Sequence, residues 1–316
     1  MRVHVKTPAR LHLGLIDLNG DLGRLFGGLG VGIDHPNVVL EAQLSERFSV
    51  TGEKTEQVKT LARRFLEIYN LKAHADINVK QTIPEHTGLG SGTQLALAVA
   101  TALAKLFDLK KPIQELATVM GRGRRTCIGT AIFEKGGFVV DGGKNIKKEG
   151  LPSMIFRQPF PQDWVFVVAL PNTKKGLARD EEAAAFNGLA PMTPEDVGRI
   201  CRLTMMKLLP SLIEQDIKNF GEALTQIQII VGEHFAAAQG GTYSSQTVAE
   251  GIALLQKLGA YGVGQSSWGP AFYGLTQKEE AKKIQFKVQA FLRERVGGQV
   301  FIAKANNRGA YVKITK

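Results

Sequence analysis

The chain has 316 residues, 44% hydrophobic and 22% charged, ordinary proportions for a soluble globular protein with room for one large domain or two modest ones. Forty Lys and Arg against 29 Asp and Glu leave a net charge of +11, which points to a polyanionic partner, either nucleic acid or a heavily phosphorylated small molecule. The two cysteines, Cys127 and Cys201, form no C-x-x-C, and no apolar run approaches the roughly 20 residues of a membrane span; a disulfide framework, a zinc site and a membrane protein are disfavoured, and a cytosolic protein is expected.

In chain order, Arg2–Lys6 alternates as a strand, residues 7–10 read as a turn, and 11–15 as a second strand with His12 on the face opposite the leucines. Residues 19–32 form a glycine cluster, read as a flexible loop or as backbone held against a ligand. Residues 37–43 and 47–51 predict a paired hairpin, 56–69 an amphipathic helix and 75–80 a strand. A helix over 95–107 and a second over 113–120 lead to a basic loop at 121–126. Phe138–Asp141 follows as a strand with an acid at its tip. Repeated turns at 150–161 divide the chain into units 1–158 and 159–316. The second unit reads as an apolar strand (164–169), helices (194–209, 213–231, 246–257), two strands (260–264, 271–275), a helix (277–295) and a strand (299–304). That alternation predicts an α+β layer of antiparallel sheet covered by helices.

The stretch at 84–94 organises the rest. Gly88, Gly90 and Gly92 alternate with Leu89 and Ser91, so the backbone can approach a ligand closely. No charge lies between Ser91 and Lys105, so the helix that follows is apolar all round and its N-terminus opens at the glycines. Such an end offers unpaired N–H groups and partial positive charge, a seat for phosphate. A P-loop lysine is missing and the third glycine sits one place too early for a dinucleotide fingerprint. A tight turn before a core helix accounts for the same residues equally well.

Residues 7–12, 84–91 and 262–270 resemble, in order, the three motifs of the GHMP kinase superfamily, with a spacing that spans nearly the whole chain. The resemblance implies a two-lobed α+β fold, with an N-terminal lobe like domain 2 of ribosomal protein S5, a C-terminal ferredoxin-like lobe and a cleft between them. Kinases of the superfamily usually carry a magnesium-binding Glu, and many an Asp, between the second helix and the next strand. Here no acid lies between Glu115 and Glu134, and Arg122, Arg124 and Arg125 fill the approach. Gly92 replaces the second Ser of the usual G-L-G-S-S, and Gln265, Ser266, Ser267 and Trp268 interrupt the third motif. This pattern resembles one branch, the beta-ribofuranosylaminobenzene 5'-phosphate synthases of methanopterin biosynthesis, most closely in residues 10–20, 28–30 and 121–143, particularly 136–143. That branch implies condensation of 5-phosphoribosyl diphosphate with 4-aminobenzoate or 4-hydroxybenzoate and release of CO2 and diphosphate. Magnesium would travel with the diphosphate, and neither ATP, nucleic acid nor a membrane is involved. Dimers are common in the superfamily, and the helices over 194–231 offer an interface.

On this reading the N–H groups of Gly88, Leu89, Gly90, Ser91, Gly92 and Thr93 hold the diphosphate. Arg122, Arg124 and Arg125 clamp a phosphate or the carboxylate, and Arg10 and Arg24 are further phosphate candidates. Asp141, or else Asp17 or Asp21, faces the magnesium, and His12 bonds the ring's amino or hydroxyl group. His12, Asp17, Arg24 and Asp141 form the catalytic set; Ser266 and Ser267 face the phosphates, and Trp268 and Phe26 supply aromatic walls. The plainer readings are a solvated basic loop and an aspartate capping a turn. Two other functions stay open. An ATP-dependent GHMP kinase needs acids within 116–133, and an RNA-binding protein on the S5-like lobe fits the net charge but lacks an aromatic-interleaved basic stripe.

Overall fold

The structure is a computed structural model and describes residues 1–72, 74–173, 186 and 188–315. The chain opens with strands β1 (Arg2–Lys6), β2 (Ala9–Asp17), β3 (Arg24–Ile33), β4 (Val39–Leu44) and β5 (Ser49–Gly52), then helix α1 (Thr55–Ile68), strand β6 (Ala75–Gln81) and helix α2 (Ser91–Leu106). Helices α3 (Ile113–Val119) and α4 (Ile128–Lys135) lead to strands β7 (Phe138–Asp141), β8 (Lys144–Asn145) and β9 (Met154–Gln158). Helix α2 lacks a polar stripe because it lacks a solvent face. Leu95, Leu97, Val99 and Leu103 are all buried, between α1, α3 and α4 and over β1 and β4. At about 1.5–3 kcal/mol per buried aliphatic side chain, this packing fixes the helix and therefore the position of its N-terminus.

The second half runs through β10 (Trp164–Pro171), α5 (Pro194–Leu203), a π-turn over Thr204–Leu208, α6 (Leu209–Glu214) and the long α7 (Ile217–Gln239). It continues with α8 (Gln246–Lys257), β11 (Gly262–Gln265), β12 (Phe272–Gln277), α9 (Lys278–Arg295), β13 (Gly298–Lys304) and β14 (Tyr311–Thr315). Strand β10 is apolar on both faces because both are covered. Val165, Val167 and Ala169 join the cluster under α8 and α9, while Trp164, Phe166 and Val168 join the central core. The antiparallel sheet here is ordered β11–β12–β10–β13. The other strands form the sheets β14–β1–β4–β6–β5 and β2–β3–β7–β9, the latter with β8 paired to β3. The whole is an α+β architecture, and no helix among the described residues is long and apolar enough to cross a membrane.

Three expectations are corrected. Residues 19–32, read as a glycine loop, are largely strand β3, bonded to β2 and β7. Its glycines serve packing: a Cβ on Gly30 would run into Ile128, and one on Gly32 would come within 2.9 Å of the Asn306 carbonyl, so the bare face lets α4 lie directly on the sheet. Residues 37–43 and 47–51 do not pair. Strand β6 separates β4 from β5, and β5–α1–β6 is a parallel unit, which requires a helical crossover. The turn at 7–10 is confined to Thr7 and Pro8, since Ala9 and Arg10 already belong to β2. Strand β14 has no counterpart in the sequence reading; it pairs with β1, so the last strand lies in the sheet of the first.

Candidate active site

Three segments distant in sequence meet at one carbonyl. The Gly88 oxygen accepts the Ser266 hydroxyl at 2.7 Å and an Arg10 Nη1–H at 2.5 Å, and Ser266 Oγ in turn accepts the His12 N–H at 2.9 Å. The Arg10 N–H donates to the Leu89 carbonyl at 3.1 Å. Such closeness needs glycine: Gly88 has φ +87°, and a Cβ there would overlap the Ser266 carbonyl. Leu89 points into the core and anchors the loop. Helix α2 starts immediately afterwards, with Gly90 as its N-cap and no acid in its first turn. Gly88, Gly90, Ser91, Gly92 and Thr93 line a cavity of about 770 Å³.

The charge around this cavity is one-sided. Arg10, Arg122, Arg124, Arg125 and Lys144 line it, against Glu85 as the one carboxylate among the described residues, and Glu85 pairs with Lys54 at 2.6 Å. Together with the helix end these cations make an anion site. Arg122 Nη1 lies 3.2 Å from where a Cβ of Gly92 would stand. A side chain at position 92 would press on that guanidinium.

A second wall is aromatic. Phe235 and Trp268 lie 4.5 Å apart, and Phe186 meets Trp268 at 5.4 Å and both Phe26 and Phe235 at 5.5 Å. The Arg125 guanidinium lies over the Phe186 ring at 4.4 Å, so the basic and aromatic walls join there. The lining also includes the amides of Gln228, Gln239 and Gln265. A bulge in β2 between His12 and Gly14 takes the Leu13 carbonyl out of the ladder; Gln228 Nε2 donates to it at 2.8 Å while Gln228 Oε1 accepts the Gln265 N–H at 2.9 Å.

Of the residues expected from sequence, His12, Arg10, the three loop arginines, Phe26, Ser267 and Trp268 line the cavity. The Ser266 hydroxyl is taken up by the Gly88 carbonyl. Burial, then the charge of Arg10, lowers the His12 pKa to about 3, so its imidazole is neutral at neutral pH. Four acids and bases are placed differently from expectation. Asp141 is not at an open strand tip but completely buried, its carboxylate accepting the Cys127 and Gly143 N–H groups at 2.9 Å each. It ties the start of α4, where the arginine loop ends, to the turn that carries Lys144. Arg24 donates to the Gly142 and Gly143 carbonyls of the same turn, at 2.5 and 2.9 Å. Asp17 accepts the Asn19 and Gly20 N–H groups at 2.8 and 2.9 Å, as an Asx turn does. Asp17, Asp21, Arg24 and Asp141 do not line the cavity, and among the described residues no group of three His, Cys, Asp or Glu side chains could hold a metal ion.

The sequence reading missed Gln57, Lys144, Gln228, Phe235, Gln239 and Tyr243, which carry no motif. Phe235 and Gln239 share one helix face at i, i+4, but the reading ends that helix at residue 231 whereas α7 runs to Gln239.

The buried acid gives a pH-dependent expectation. Burial pushes the Asp141 carboxyl from 3.8 up to about 7, against the pull of its N–H partners and Arg24. With the folded pKa above the unfolded one, its contribution to stability is complete below about pH 4 and is lost as pH rises through about 7. Asp141→Asn cannot titrate. In urea unfolding, wild-type stability minus variant stability is expected to shrink between about pH 4 and about pH 7.

Comparison with known proteins bears on the whole chain. Residues 56–133 match the family described as GHMP kinases N terminal domain, and residues 208–294 match GHMP kinases C terminal. The chain is 36% identical to the beta-ribofuranosylphenol 5'-phosphate synthase of Archaeoglobus fulgidus, over 99% of this chain and 100% of that protein. It is 33% identical to the protein of the same name from Methanothermobacter thermautotrophicus, over 98% of each. Among solved structures it is similar to homoserine kinase from Cytophaga hutchinsonii, with a TM-score of 0.72 and 18% identity over 99% of this chain and 97% of that one. A mevalonate kinase is similar at a TM-score of 0.71 and 13% identity, over 96% and 99%. At these identities the two kinases share the fold alone.

Proposed function

The chain belongs to the family of beta-ribofuranosylphenol 5'-phosphate synthases, on the GHMP kinase fold, and we propose on that premise that it condenses 5-phosphoribosyl diphosphate with 4-hydroxybenzoate. The products are a β-C-riboside 5'-phosphate, CO2 and diphosphate, an early step toward methanopterin. The observation that carries this reading is the junction of a wall of five cations with a wall of aromatic rings in one cavity. A phosphorylated sugar needs the first wall and an aromatic acid needs both.

In this reading the diphosphate lies at the N-terminus of α2, against Arg10 and Arg122, where backbone donors and guanidinium groups take up charge as it leaves. The carboxylate of the acid meets Arg125, and its ring packs on Phe235 and Trp268. The two substrates are then held side by side, with the rings keeping water from the ribose cation. The C1–O bond breaks with its electron pair leaving on the diphosphate, and the ring carbon bearing the carboxylate bonds to C1. The bond to the carboxylate then breaks, CO2 departs and the released pair restores aromaticity. No ring proton is removed, so a neutral His12 is compatible with the reaction. Magnesium enters as part of the diphosphate substrate. The lining fits no resident ion, because Glu85, paired with Lys54, is the one carboxylate that the described residues bring to it.

A kinase reading keeps only the fold, since the window 116–133 contains no acid for magnesium-ATP. Thermal unfolding separates the two. Magnesium 5-phosphoribosyl diphosphate at about 100 times its Kd is expected to stabilise the protein by about 2.7 kcal/mol, with magnesium-ATP at the same concentration producing no shift. The reverse order would favour the kinase.

A further inference from the structure

We infer that Gln239 is the residue that reads the substituent opposite the carboxylate and sets the preference for a hydroxyl over an amino group. The inference rests on the proposed reaction, and deepens it by assigning the far end of the aromatic acid.

Arg125, the aromatic rings and Gln239 line one cavity. Arg125 lies over Phe186, and Phe186 touches Phe235 and Trp268. Gln239 follows Phe235 on the same face of α7, one helical turn or about 5.4 Å further along, comparable with a para-substituted ring. Three glutamines line this end, and two of them have both the nitrogen and the oxygen of the amide held by hydrogen bonds of 2.8–2.9 Å. Gln228 bonds Leu13 and Gln265 through its two amide atoms. Gln265 accepts the Ser244 N–H at 2.8 Å and donates to the Ser267 carbonyl at 2.9 Å. Gln239 donates one Nε2–H to the Thr242 carbonyl at 2.9 Å, and its Oε1 meets only Gln265 Nε2, at 3.4 Å. Among the described residues it therefore retains one N–H and most of its acceptor capacity.

A phenol hydroxyl both donates and accepts, and matches that remainder. An arylamine donates, but its lone pair is spread into the ring and accepts poorly, which leaves the Gln239 N–H without a partner. The same contact assists the chemistry: a hydroxyl that donates to Oε1 pushes electron density to the ring position opposite it, which is the carbon that bonds to C1.

The test compares 4-hydroxybenzoate with 4-aminobenzoate, by turnover and by equilibrium binding of each acid, in the wild type, Gln239→Glu and Gln239→Leu. The wild type is expected to prefer the hydroxy acid about tenfold in kcat/KM, the value of one hydrogen bond. Gln239→Glu, which keeps an acceptor for the hydroxyl but has no donor for its lone pair, should narrow the preference for the hydroxy acid. Gln239→Leu should bring the two within about threefold while the KM for 5-phosphoribosyl diphosphate stays unchanged, which separates a lost contact from a damaged fold. An unaltered preference in both variants, or one that moves instead with Tyr243→Phe, would overturn the inference while the reaction stood. Gln239-dependent binding without any CO2 release would overturn the reaction and leave the contact standing.

Discussion

Arg122→Ala is expected to lower kcat/KM for 5-phosphoribosyl diphosphate about 10²–10³-fold, the loss seen when one preorganised charge-stabilising donor is removed. The guanidinium lies against Gly92 in the first turn of α2, where helix dipole and side-chain charge address the same anion. Its effect should fall on the diphosphate substrate, with the KM for the aromatic acid changed less than about threefold. Arg122→Lys keeps the charge but loses the planar fork, and is expected to recover only part of the activity. Steady-state kinetics with each substrate varied in turn decide this. A uniform fall in folding yield and in both KM values would place Arg122 in the scaffold instead.

Gly88→Ala is expected to be damaging in a different way. The residue sits at φ +87°, and its missing Cβ leaves room for the Ser266 carbonyl. An added methyl must push apart the Gly88 loop and the Ser266 turn, which are joined through the Gly88 carbonyl to Arg10 and Ser266. The positive φ costs about 1 kcal/mol for a residue with a Cβ, and overpacking adds about 1–3 kcal/mol. A stability loss of about 2–4 kcal/mol in chemical denaturation is therefore expected, with activity falling further than stability because the start of α2 moves. Wild-type stability in this variant would contradict the three-way junction.

The sequence made some of this legible and concealed the rest for identifiable reasons. Helix α2 and the glycines at its start could be read because a charge-free run has only one comfortable place, the core. The acid-free window between Glu115 and Glu134 was equally plain, since composition reveals an arginine loop there and the resemblance to the superfamily implies magnesium ligands at that place. Long-range pairing was not legible: β5 beside β6 and β14 beside β1 depend on contacts that no local pattern encodes. Short α4 was concealed by its eight residues, although Ile128, Ala131 and Ile132 carry the helical spacing. Asp141 and Arg24 looked catalytic because charged residues beside glycines often are. Only the fold shows the carboxylate bonded to Cys127 and Gly143 and the guanidinium to Gly142 and Gly143. Phe235 and Gln239 were missed because helical side chains facing a cavity look like any other core or surface positions.

On the proposed reaction, an electropositive helix end and an aromatic wall joined in one cavity couple diphosphate departure to loss of CO2. The measurement that addresses it most directly is release of labelled CO2 from carboxyl-labelled 4-hydroxybenzoate with 5-phosphoribosyl diphosphate and magnesium, in the absence of ATP. Label release is expected in step with diphosphate, abolished by leaving out 5-phosphoribosyl diphosphate and sharply reduced in Arg122→Ala. Absence of release from a folded protein, or release that depends on ATP, would contradict it.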